Sequence, residues 1–65
     1  MKTRNELTMI RKAAGYTQQQ LAEKAEIGLS TVIKWEKGGN VRPSSDRAIR
    51  TAIMDIYTET PILVF

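Results

Sequence analysis

Residues 17–38 run Thr17-Gln18-Gln19-Gln20-Leu21-Ala22-Glu23-Lys24-Ala25-Glu26-Ile27-Gly28-Leu29-Ser30-Thr31-Val32-Ile33-Lys34-Trp35-Glu36-Lys37-Gly38. Two short apolar periodicities flank a three-residue break, and a turn at that break makes the stretch a pair of helices. Thr17 with Gln20 three positions on fits a capping box, in which the two side chains satisfy orphan backbone amides reciprocally. Leu21, Ala22 and Ala25 then recur on one helical face, a narrow stripe whose alanines let another helix come close. The spacing predicts a helix from Gln18 to about Ala25. Glu26-Ile27-Gly28 is long enough only for a turn, with Ile27 inward and Gly28 capping the next helix. That helix is expected from Leu29 to about Lys37, with Val32 and Trp35 inward and Ser30, Thr31 and Lys34 outward.

Upstream, Thr3-Arg4-Asn5-Glu6 fits a second capping box, and Leu7, Ile10 and Ala14 recur after it at helical spacing. A first helix is expected from about Arg4 to Ala14, stopped by Gly15 through its tolerance of positive φ. Arg11, one turn after Leu7, lies beside the apolar stripe, where a carboxylate partner matters. Gln18 is read with a free side chain at a helix start, where unsatisfied amides can hold a phosphate.

Beyond the central stretch, Gly38-Gly39-Asn40 ends the third helix, and Val41-Arg42-Pro43 leads as an extended segment to a new start at Ser44 or Ser45. Asp46 there complements the helix dipole. Ala48, Ile49, Ala52, Ile53 and Ile56 form a stripe expected to close the core against the first and third helices, ending near Tyr57 or Thr58. Thr60-Pro61 prevents simple continuation, and Ile62, Leu63, Val64 and Phe65 are β-prone and too apolar to leave in water. Folding back on the chain's own core is one way to cover them, and pairing with the same segment of a second subunit is the preferred one. The expected fold is all-α, a compact bundle of four short helices, with residues 1–58 as its domain and 59–65 as an apolar tail for dimerisation.

At 65 residues the chain holds one small core, and a domain of this size buries only about 60% of its unfolded surface, so a partner subunit would help. Cysteine and histidine are both missing, which removes disulfides, thiolate nucleophiles, imidazole chemistry and the commonest zinc ligands. The carboxylates are scattered, so no catalytic residue, metal site or cofactor is expected and the chain is not read as an enzyme. A net charge of +3 and a pI near 9.6 favour polyanionic partners. No apolar run approaches the roughly 20 residues that span a bilayer, and no apolar signal segment comes after Met1-Lys2-Thr3-Arg4. A cytoplasmic protein with no membrane and no small-molecule partner is expected.

The combination Gly15-Tyr16-Thr17-Gln18, Leu21-Ala22-Glu23-Lys24-Ala25, Ser30-Thr31-Val32, Trp35-Glu36-Lys37-Gly38 and Arg42-Pro43-Ser44 resembles the Cro and lambda-repressor type of helix-turn-helix, the XRE family. The resemblance covers about Leu7 to Ile53. It implies that the third helix enters the major groove of double-stranded DNA with Leu29, Ser30, Thr31 and Lys34 toward base edges. It implies phosphate contacts from Gln18, Gly28, Lys37, Asn40 and Arg42, and a structural ion pair between Arg11 and Glu36. The chemistry agrees, since Lys34 can donate to guanine, hydroxyls can serve several bases, and Leu29 can meet a thymine methyl.

The chain departs from the family where Glu26 replaces the usual turn glycine, where Gly28 replaces a hydroxyl cap, and where Leu29 and Ile33 stand at positions of polar readers. The resulting expectation is a homodimeric repressor of phage or mobile-element type on a palindromic operator with half-sites about 34 Å apart. The alternative is an antitoxin- or antirepressor-like protein-interaction module that keeps the fold. Leu29 and Ile33 support that alternative, and Lys34, Lys37, Arg42 and Arg47 on the same side oppose it, because interfaces are poor in lysine.

Overall fold

A computed structural model describes residues 2–60, so the expected dimerisation residues Ile62, Leu63, Val64 and Phe65 lie outside the described residues. The chain forms α1 (Arg4–Ala13), α2 (Gln18–Ala25), α3 (Leu29–Glu36) and α4 (Pro43–Glu59), with no strand among the described residues. The all-α, four-helix reading of the sequence holds.

Local chemistry sets the boundaries. The Thr17 hydroxyl accepts from the Gln20 amide at 3.0 Å while the Gln20 side chain accepts from the Thr17 amide at 2.9 Å, and Thr3 and Glu6 repeat the arrangement at 3.2 and 3.0 Å. The first three helices share one ending. Each closes on a left-handed residue, Gly15 (φ 81°), Glu26 (φ 58°) or Gly38 (φ 85°), and the next amide reaches back five residues. Those bonds run from Tyr16 to the Arg11 carbonyl at 3.1 Å, from Ile27 to Ala22 at 3.0 Å, and from Gly39 to Lys34 at 2.9 Å. Glu26 holds with a side chain a conformation that glycine adopts without steric cost.

Some boundaries differ from expectation. Helix α4 begins at Pro43, not at Ser44 or Ser45, because proline has no amide to lose in a first turn and its fixed φ already suits a helix. It also runs past Tyr57 and Thr58 to Glu59. Ala14 and Lys37 are the caps of α1 and α3 and stand outside the helices proper.

The core gathers Leu7 and Ile10 from α1, Leu21 and Ala22 from α2, Val32 and Trp35 from α3, and Ile49, Ala52, Ile53 and Ile56 from α4. Burying each large aliphatic side chain contributes about 1.5–3 kcal/mol, and together they hold a domain that has no covalent staple. Helix α4 packs chiefly against α1 and α2, with a smaller contact on α3, which corrects the expected pairing with the first and third helices. Periodicity identifies a buried stripe but not the helix that covers it. Ala48, expected within that stripe, is only half-buried and lines a hollow between α4 and the end of α2.

Candidate nucleic-acid interface

The start of α3, its outer face and the segment entering α4 enclose a groove of about 400 Å³. Its walls are Ile27, Gly28, Thr31, Lys34, Asn40, Val41, Arg42 and Ser45. The fold therefore brings together Thr31 and Lys34, expected at bases, with Gly28, Asn40 and Arg42, expected at phosphates. Leu29 and Ser30 stand exposed on the first turn of α3, and Lys37 is exposed at its end, outside the groove walls. Leu29 is 38% exposed, which leaves an apolar side chain open to a ligand, whereas Ile33 is half-buried. Arg47 borders the hollows on the flanks of α4 and does not join this groove.

Charge and backbone polarity favour an anion here. The N-caps of α3 and α4 are two groove residues, Gly28 and Arg42, and among the described residues neither start is closed by a side-chain cap. Their first-turn amides carry the positive end of a helix dipole beside Lys34 and Arg42. The start of α2 differs, because its own capping box already occupies the Gln20 amide.

Behind the groove, a buried network fixes α3 to α1 and α2. Arg11 Nε donates to Glu36 Oε2 at 2.7 Å, Nη2 to Glu36 Oε1 at 3.1 Å, and Nη1 to the Tyr16 carbonyl at 2.6 Å. Gln18 Nε2 also donates to Glu36 Oε1, at 3.0 Å. The Gln18 side chain is thus tied down, which corrects the expectation that it is free. A bidentate pair with a third donor satisfies the carboxylate, and this is the condition under which buried charges are tolerated.

Trp35 is the second anchor of α3. Its ring is fully buried and its Nε1 donates to Asp46 Oδ1 at 2.7 Å, while Arg4 and Arg50 approach the ring at 5.3 and 5.7 Å. Arg50 Nε donates to both Asp46 oxygens, at 3.2 and 3.0 Å, and Arg4 Nη1 donates to the Trp35 and Gly39 carbonyls at 3.1 and 2.8 Å. The indole hydrogen bond and, after it, the Arg50 contacts hold the Asp46 carboxyl below its ordinary range. From the sequence, Asp46 has only a dipole role. A buried indole N–H requires an acceptor, so Trp35 was the signal that an acceptor had to be found.

Val41 and Ser45, which also wall the groove, were not expected there; the only hint was their position on either side of Arg42-Pro43. Two short helices joined by a left-handed turn, the second bordering a basic groove and anchored from behind, define a DNA-binding helix-turn-helix domain. Comparison with protein families agrees: a family model described as helix-turn-helix matches residues 7–52. The chain belongs to that family, of the XRE type, whose members are DNA-binding transcription regulators and not enzymes. Neither a curated protein nor a solved structure matches the chain. Among the described residues, no helix is long and apolar enough to cross a membrane.

Proposed function

We propose that this regulator is a sequence-specific repressor of phage or mobile-element type that binds a palindromic operator as a homodimer. The observation that carries this reading is the convergence of Thr31, Lys34, Asn40 and Arg42 on one groove between two helix starts. Helix α3 lies in the major groove of duplex DNA, with Leu29, Ser30, Thr31 and Lys34 toward base edges. Gly28, Asn40 and Arg42 hold phosphates from the groove side, Lys37 adds a cation at the end of α3, and Gln18 meets a phosphate at the start of α2. Residues 1–58 supply this surface. Ile62, Leu63, Val64 and Phe65 join two copies, so that their α3 helices meet half-sites about 34 Å apart.

A salt-titrated binding assay on a randomised duplex pool tests the reading. The expected result is enrichment of an inverted repeat, with affinity falling steeply as salt rises because several phosphates are neutralised. Equal retention of all sequences would remove the specific reading, and no retention at low salt would remove DNA binding altogether. Deletion of Ile62 to Phe65 is expected to give a monomer in sedimentation. A dimer that survives the deletion contradicts the role given to the tail.

Exposed Leu29 is the one observation that favours a protein-interaction module instead. Half-buried Ile33 removes the neighbour that would extend Leu29 into an apolar patch, and DNA binding is the better account.

A further inference from the structure

We propose that Gly39 is a positioning residue for Lys34, holding the lysine stem in the orientation that reads DNA; the inference rests on the groove being the DNA-reading surface. The two adjacent glycines after α3 have different reasons to be glycine. Gly38 has φ 85° and open space where a side chain would stand, so its backbone conformation demands it. Gly39 has no positive φ. What it lacks is room: a Cβ there would lie 2.6 Å from Lys34 Cγ, 3.1 Å from the Lys34 carbonyl oxygen and 3.4 Å from Lys34 Cε.

The backbone of residue 39 therefore lies against the length of the Lys34 side chain. Its amide donates to the Lys34 carbonyl at 2.9 Å, and its own carbonyl accepts from Arg4 Nη1 at 2.8 Å. Arg4 also donates to the Trp35 carbonyl, so one side chain of α1 holds both the exit loop and the last turn of α3. A lysine stem in open solvent samples many rotamers and loses that freedom on binding. Gly39 removes part of the freedom beforehand, on the wall that Lys34 shares with Thr31, Asn40 and Arg42.

The test compares wild type, Gly39→Ala, Lys34→Ala and the double variant on duplexes selected by the wild type and on single base-pair variants of them. Gly39→Ala is expected to lower discrimination about 3- to 10-fold at the same base pairs that Lys34→Ala relaxes. It is expected to leave the salt slope unchanged and to add nothing once Lys34 is alanine. An effect spread evenly over all duplexes, or one that adds fully to Lys34→Ala, overturns the proposal. A second measurement needs no variant: side-chain carbon relaxation in the DNA-free protein should find the Lys34 stem more restricted than that of Lys37. Equal mobility of the two overturns the proposal as well. If the wild type has no sequence preference, the DNA reading fails and the proposal with it. If preference survives Gly39→Ala intact, the proposal alone fails.

Discussion

Arg11 of α1 and Glu36 in the last turn of α3 face each other at 2.7 Å, each side chain only 7% exposed. Two helices that are distant in sequence are locked by charge at the end of the helix that borders the groove. The lock is strict because an unpaired buried charge is far costlier than a missing pair. Glu36→Ala is expected to lose about 3 kcal/mol of unfolding free energy in denaturant titration, a large part of what a domain this small possesses. Replacing Arg11 and Glu36 together with methionine should recover part of the loss, since no charge is then stranded while the Tyr16 carbonyl and the Gln18 amide still lose their partners. A double variant as unstable as Glu36→Ala contradicts this role of the pair.

Glu26 occupies a left-handed conformation at φ 58° that Gly15 and Gly38 occupy as glycines. Glu26→Gly is expected to raise stability by about 0.5–1 kcal/mol, relief of strain outweighing the added freedom of the unfolded chain. Gly38→Ala should lower it by about 1 kcal/mol, although nothing stands in the way of the new methyl. Thermal melts of the two variants check the pair of signs, and a destabilised Glu26→Gly would mean that the Glu26 side chain has a compensating role.

Asp46 gives the fold an acid limit. Its carboxyl is held below its ordinary value of 3.8, so its contribution is fully present above about pH 4–5 and is lost as pH falls through the lower folded value. Asp46→Asn keeps an oxygen for the Trp35 indole and removes the charge beside Arg50. The melting-temperature gap between wild type and Asp46→Asn is expected to be constant near neutrality and to shrink below about pH 4. A gap independent of pH down to about 2 rules out this linkage.

The helices were legible because their signals are local. Thr3 with Glu6 and Thr17 with Gln20 mark two starts, Gly15 and Gly38 mark two ends, and the apolar stripes of α1, α2 and α3 face the core, with Ala14 and Ala25 only partly buried at its edge. What was not legible depends on contacts distant in sequence. The Gln18 side chain is held by Glu36, 18 positions away, and the Trp35 indole finds Asp46 across the exit loop. Arg4 and Arg50, ordinary surface residues by type, stand over the Trp35 ring. Pro43 was legible in principle, since proline is as much a first-turn residue as a helix breaker. Among the site residues, sequence order alone could not reveal that Gly28, Thr31 and Lys34 share a groove with Asn40 and Arg42, because the loop after Gly38 must first turn back along α3.

The groove residues divide into readers and holders, and paired substitutions separate them most directly. Lys34→Ala and Arg42→Ala are to be measured side by side across a salt series, on the selected duplex and its single base-pair variants. Lys34→Ala is expected to relax preference at one or two positions by about 1–3 kcal/mol, while Arg42→Ala weakens all duplexes alike and flattens the salt slope by about one ion. Unchanged base preference in Lys34→Ala, or altered base preference in Arg42→Ala, would contradict the assignment of this groove as the surface that reads DNA.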